Sequence, residues 1–346
     1  MNKQVYLLTD YKGYFGSKAE ATPYRSGMDI KMLMDRFKYH GFDTQVLNFS
    51  EVNLREDKWK DSFVIYTSQE DPNYFYKDFI EDIAFALELK GAHIVPSYKL
   101  LRANNNKVFM ELLRDVVNKK SLNTIETSCY GCYEEYKKYN TSTQEKRVFK
   151  EPRGAKSRGV FLSDSLQSAD KIAQKISRIP MRLSGLRDKI RTLRHKGYIK
   201  DSQNRQKFIV QNFIPDLEND WKVLVFGDKY FIEYRGVRKN DFRASGSQDF
   251  KFDKEIENSI PEGIFELAEE VRNTFDAPHF SLDFAFVNGI FYMFEFQALY
   301  FSSYAFKYSQ NYYERQGEGF VKKESNFSLE ELYVDSLIQY IEQKYI

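Results

Sequence analysis

The chain has 346 residues, with 52 Lys and Arg against 50 Asp and Glu for a formal net charge of +2. At 42% hydrophobic and 29% charged it has a globular composition, neither disordered nor membrane-spanning, and the balanced charge excludes wholesale nucleic-acid binding. Two cysteines exclude a disulfide scaffold and suit a reducing cytoplasm, no run nears the ~18 apolar residues of a membrane span, and Asp10 comes too early for a signal peptide.

The first hundred residues alternate strand and helix signals. Val5 to Thr9 reads as a strand, Ser26 with Asp29 as a capping box, and Met28, Met32, Leu33 and Phe37 as a helix closed by Gly41. Gln45–Phe49 and Phe63–Thr67 are β-rich, Tyr74–Lys90 is helical, and Ala92–Val95 ends at Pro96. Strands separated by helices imply a small parallel sheet. Past Leu100 the pattern predicts a helix from Lys107 to about Asn118, a strand at Leu122–Glu126, a helix at Cys132–Tyr139, and strands Arg147–Lys150 and Val160–Leu162 around a basic glycine-bounded loop, Arg153 to Gly159. A helix over Ser165–Ile179, a basic stretch from Arg178 to Lys207 and a strand Phe208–Ile214 follow. Two hairpins come next, Trp221–Phe226 with Tyr230–Tyr234, and Phe280–Val287 with Ile290–Gln297. Pro261–Phe275 and Ser328–Tyr345 complete the helices. The 25 Tyr and 30 Phe are read mainly as core and strand filling.

The second hairpin carries the chemistry. Asp283 and Glu295 each interrupt an apolar strand, where a carboxylate must be paired, protonated or metal-bound. Glu295 and Gln297 project from one strand face, and three such oxygen donors suit a hard cation such as Mg²⁺. An ideal two-residue turn at Asn288-Gly289 would place Asp283 opposite Phe294, so a metal site requires one extra residue, from a bulge or a longer loop. The bland alternative is a pair of acids on a solvated face. The loop from Gly154 to Gly159, preceded by Lys150, suits phosphates held by backbone N–H groups and lysines, although a charged surface hairpin has the same composition.

From about Leu100 to Gln297 the ordered series of motifs resembles the ATP-grasp superfamily, in particular the branch containing glutathione synthetase and ribosomal-protein glutamate ligase. The resemblance implies an α/β (α+β) chain: a Rossmann-like pre-ATP-grasp domain at 1–100, a small subdomain at 101–215 with phosphate loop and basic helical insert, and a large subdomain at 216–346 with the Mg site. It assigns Lys107 and Lys150 to the nucleotide phosphates, Gly154, Ser157 and Gly159 to the phosphate loop, and Gln211, Asn212, Phe213 and Ile214 to the adenine hinge. Asp220 and Lys222 fall at the family's acid and base positions; Arg243 and Ser245 match the Phe-Arg-Ser-Asn segment beside the phosphates. Asp283, Glu295 and Gln297, twelve and then two residues apart, match its metal ligands. Asn212 stands where relatives have Glu, Gln297 where they have Asn, and the Ser-Pro-Gly turn after the ligands is absent.

The implied activity is ATP- and Mg²⁺-dependent joining of a carboxylate to an amine through an acylphosphate, with Mn²⁺ a substitute ion. Arg243 would steady the transferred phosphoryl group, and Arg235 and Arg238 would grip a substrate carboxylate unless they are ordinary exposed hairpin arginines. A phosphotransferase on the same fold and a non-catalytic nucleotide binder are the alternatives. Substrates would be small molecules, peptides or glycans, with neither nucleic acid nor a membrane span involved, and a homodimer is compatible. Cys129 and Cys132 have redox spacing but no second pair for zinc. His279 is read as structural, and the basic stretch as a solvated helix face or a polyanion site.

Overall fold

The computed structural model describes residues 4–19, 27–68, 72–140, 146–154, 158–180, 184–238, 241–244 and 249–346. The chain divides into two compact units, Met1–Asn104 with Leu217–Ile346, and Asn105–Asp216.

The first unit begins with β1 (Gln4–Thr9), α1 (Ile30–Tyr39), β2 (Asp43–Asn48), β3 (Phe63–Tyr66), α2 (Phe75–Leu89), β4 (His93–Val95) and α3 (Tyr98–Ala103). Its four strands form the expected parallel sheet, in the order β2-β1-β3-β4. Asp29 alone caps α1, its Oδ1 accepting from the backbone N–H groups of Lys31 and Met32; Ser26 lies outside the described residues. The short helix α3 was not anticipated, because six residues carry too little periodicity to register.

The second unit contains α4 (Lys107–Val117), β5 (Thr127–Tyr130), α5 (Tyr133–Tyr139), β6 (Arg147–Lys150), β7 (Val160–Ser163), α6 (Leu166–Ile176), α7 (Ser184–Arg194) and β8 (Phe208–Asn212). Its sheet is antiparallel, ordered β5-β8-β6-β7. The strand expected at Leu122–Glu126 starts instead at Thr127. Turn bonds from the N–H groups of Leu122 and Asn123 to the Lys119 carbonyl occupy the intervening backbone. Tyr136, Phe149, Ala173, Phe208 and Val210 form the unit's core. The anticipated basic helix is present as α7, with Arg191, Leu193 and Arg194 exposed. Arg182 and Leu183 fall outside the description, as do the side chains of Leu186, Arg187 and Lys189.

The first unit resumes with β9 (Asn219–Phe226), β10 (Lys229–Gly236), β11 (Phe250–Lys251), α8 (Ile264–Phe275), β12 (His279–Val287), β13 (Ile290–Gln297), α9 (Tyr304–Tyr308), β14 (Asn311–Gln316), β15 (Gly319–Glu324) and α10 (Leu329–Tyr345). A seven-stranded sheet runs β13-β12-β9-β10-β14-β15, with β11 on β10. The β14–β15 hairpin was not foreseen: its strands are rich in charged and polar residues, and the aromatic run before it obscures alternation.

Parity divides this sheet into two faces. One carries Tyr230, Phe280 and Phe296, which meet α8 through Phe265–Tyr230 and Phe275–Phe296 ring contacts. On the other, Leu224, Phe226 and Phe231 join α10 residues Leu329, Tyr333 and Leu337 and the β1 residues Val5 and Leu7 in one core. The apolar part of that second face ends at Leu224; beyond it the same face is charged. Among the described residues, no helix is long and apolar enough to cross a membrane.

His279 bears out its structural reading. It is buried among Phe226, Phe301 and Tyr333, ring centroids 6.2, 5.9 and 4.5 Å away. Burial holds its pKa down to about 3 from an ordinary 6.5. The unfolded chain therefore takes up this proton first as pH falls, and stability is lost from about pH 6.5 downward through the folded value. Between pH 7 and 5 the loss expected is about 2 kcal/mol. Denaturant midpoints should show this slope in the unsubstituted protein and a flatter one in His279→Leu.

Candidate functional site

Two-residue turns fix the local registers. Asn288 and Gly289 adopt positive φ angles of 52° and 79°, the turn class favoured between twisted antiparallel strands. Pairing runs regularly from Val287 opposite Ile290 to Phe284 opposite Met293. Phe294 is then extra, and beyond it Asp283 faces Glu295, Leu282 faces Phe296 and Ser281 faces Gln297. The hairpin thus supplies, as a bulge, the extra residue that a metal site requires. The first hairpin pairs Lys222 with Glu233 and Asp220 with Arg235, while β9 against β12 pairs Lys222 with Asp283.

The outcome is a charged row across four neighbouring strands, Glu295, Asp283, Lys222 and Glu233, with Gln297, Ser281, Asp220 and Arg235 beside it on the same face. Lys222 Nζ donates to Asp283 Oδ1 at 2.6 Å and to Ser281 Oγ at 2.8 Å. The Arg235 guanidinium pairs with Asp220 Oδ1 at 2.5 Å and with Asp283 Oδ2 at 3.0 Å. Burial pushes the Asp220 carboxyl up, against the pull of Arg235. Burial acts on Asp283 too, but Arg235 and Lys222 outweigh it and hold that carboxyl below its ordinary range. Burial likewise raises Glu233.

Arg235 differs from its sequence reading. Only 5% exposed and engaged by two carboxylates, its guanidinium is occupied inside the sheet rather than presented to a substrate. Arg238 and Arg243 sit on the loop beyond β10. Arg238 N–H bonds the Arg243 carbonyl, and Arg243 forms a two-pronged pair with Asp241, Nε to Oδ1 at 2.9 Å and Nη2 to Oδ2 at 2.6 Å. Arg243 lowers the Asp241 carboxyl. Ser245 lies outside the described residues.

In the second unit, α4 begins at Lys107 with Asn106 as its cap. Lys107 N–H donates to the Pro152 carbonyl and its Nζ to the Gly154 carbonyl at 3.1 Å, so this lysine and the glycine loop are brought together. Lys150 ends β6, opposite Val160. Glu151 N–H closes the loop onto Gly159 O. Gly154 has φ +139° and a Cβ there would lie 2.6 Å from the Arg158 carbonyl; one on Gly159, φ +75°, would lie 2.7 Å from the Glu151 carboxylate. Neither position accepts a side chain without rearrangement. Ser157 lies outside the described residues. Gln211 is buried and donates to Thr127 Oγ1 and Glu111 Oε1, while Asn212 holds Glu126 through Nδ2 and its backbone N–H. Their side chains tie β8 to its surroundings.

Sequence reasoning passed over Glu233 and Ser281. A two-residue turn at Gly227-Asp228 already implies Glu233 opposite Lys222, which was the available signal. Among the described residues no group of three or more His, Cys, Asp or Glu could hold a metal ion. Two facing carboxylates with an amide are hard oxygen donors of the kind that Mg²⁺ accepts when phosphate and water supply its other ligands.

No family model matches the sequence, and no curated protein matches it. Solved structures do. D-cycloserine synthetase DcsG has a TM-score of 0.54 at 11% identity, over 96% of this chain and 98% of its own. A RimK-domain ATP-grasp protein from Sphaerobacter thermophilus has 0.52 at 12%, over 96% and 98%. The macrocyclase MdnC, bound to the precursor peptide MdnA from Microcystis aeruginosa, has 0.52 at 12%, over 97% and 99%. The chain has the ATP-grasp fold along nearly its whole length.

Proposed function

We propose that the protein is an ATP-dependent carboxylate–amine ligase that works with Mg²⁺ or, in its place, Mn²⁺. The observation that carries this reading is the bulge that sets Asp283 opposite Glu295, with Gln297 next on the same face, within an ATP-grasp fold. Asp283, Glu295 and Gln297 would hold the metal, which when bound neutralises charge on the phosphates.

The protein's own side chains divide the remaining work. Lys107 and Lys150 neutralise the α and β phosphates, and the loop from Gly154 through Ser157 to Gly159 offers backbone N–H groups. The backbone from Gln211 to Ile214 takes the adenine edge. Arg243 steadies the phosphoryl group as it passes to the acceptor carboxylate, with Ser245 beside it and Arg238 on the same loop available to the carboxylate. Asp220, Lys222 and Arg235 hold Asp283 in place. An amine then displaces phosphate to leave an amide. The division into a pre-grasp domain (1–100), small subdomain (101–215) and large subdomain (216–346), the cytoplasmic setting and a homodimer belong to the same reading. The acceptor is a small molecule, a peptide or a glycan uronic acid.

Measuring ADP and free phosphate while amino acids are crossed with carboxylates tests the class. A ligase releases both only when carboxylate and amine are present together. Release of ADP without phosphate on one acceptor identifies a kinase. Thermal stabilisation by Mg-ATP with no turnover on any combination identifies a binding protein.

A further inference from the structure

Glu233 is 2% exposed in the middle of β10, where Tyr230, Phe231, Ile232 and Tyr234 are otherwise apolar or aromatic. Among the described residues, its Oε2 is buried with no hydrogen-bond partner. A carboxylate in that condition destabilises the sheet relative to an apolar residue of the same shape. Its cross-strand neighbour is Lys222, whose ammonium is turned the other way, onto Asp283 and Ser281 on β12. Lys222 thus stands between two carboxylates, one on each adjoining strand, and is bonded to one of them. Cross-strand neighbours on one face are about 5 Å apart at Cβ, within the swing of a four-carbon side chain.

The lysine and a divalent cation compete for Asp283. Asp283 already carries two positive groups, Lys222 and Arg235, and a third repels both where water is scarce, so the cation binds well only if one of them withdraws to another acceptor. Arg235 is held in place by Asp220 as well as Asp283, which leaves the Lys222 ammonium as the group that moves. We propose that Glu233 is a positioning residue that receives the Lys222 ammonium when a divalent cation occupies Asp283. This rests on the reading of Asp283 and Glu295 as metal ligands. In the metal-free protein Glu233 is attracted to Arg235 and Lys222 only through space; its bonded contribution belongs to the loaded state.

Two measurements of opposite sign test this. Glu233→Gln removes a buried charge without changing shape, so the metal-free variant should melt no lower than the unsubstituted protein. Its Mn²⁺ affinity, followed by electron paramagnetic resonance with ADP present, should fall about tenfold. In a Lys222→Met background the same substitution should leave Mn²⁺ affinity unchanged, because the competitor has gone. A Glu233→Gln variant that melts lower or fails to fold shows Glu233 already stabilising the metal-free protein as a static partner of Lys222, and overturns the proposal. Equal weakening in both backgrounds also overturns it, since the effect would not run through the lysine. If the unsubstituted protein binds no Mn²⁺ with ADP, the metal reading itself falls, an outcome distinct from unsubstituted binding that Glu233→Gln leaves untouched.

Discussion

Glu295→Ala is expected to lower ADP formation by about a thousandfold while leaving the fold intact. The two halves of this expectation have one cause. Glu295 sits opposite Asp283 across the bulge, and two carboxylates facing each other on a sheet repel. In the metal-free protein Lys222 and Arg235 offset that repulsion at Asp283. Removing Glu295 therefore ends that repulsion in the resting fold and takes from the loaded site one of its two anionic ligands. A residue kept for stability would behave the opposite way, with a lower melting temperature and retained turnover. Activity at the unsubstituted level in Glu295→Ala would remove the metal assignment and the ligase reading with it.

How much of this was legible beforehand follows from sequence distance. Both hairpins of the site could be placed from their turn residues. The need for one extra residue in the second hairpin came from counting back from Asn288-Gly289; that it is a bulge at Phe294 came from the register. Lys107, Lys150 and the glycine loop were likewise readable, because each lies at a helix or strand end with local signals. What could not be read was that β9 lies between β10 and β12. That pairing joins segments about sixty residues apart, and no turn or period encodes it. For this reason Arg235 looked like an exposed hairpin arginine, although the adjoining strand buries it against Asp283. The faces of β9 gave no warning either. Lys222 and Leu224 share a face, and only the packing of α10 shows that the face changes from charged to apolar between them.

The buried arginine leads to the second large effect, which is on stability. Arg235 is the shared partner of Asp220 and Asp283, both largely removed from water. Replacing it with Met keeps the bulk of the side chain and leaves two carboxylates with Lys222 as the cation beside them among the described residues. Breaking a buried pair from one side costs about 3–5 kcal/mol, which should lower the melting temperature by about 10 °C. The loss should respond to Mg²⁺. In Arg235→Met a divalent cation at Asp283 replaces a missing positive charge, whereas in the unsubstituted protein it must displace or crowd cations already there. Millimolar Mg²⁺ should therefore raise the melting temperature of the variant more than that of its parent, in proportion to occupancy. Equal stability of variant and parent would mean that the carboxylates are not held as the sheet register implies. A destabilised variant indifferent to Mg²⁺ would keep the ion-pair cluster and remove the cation from Asp283.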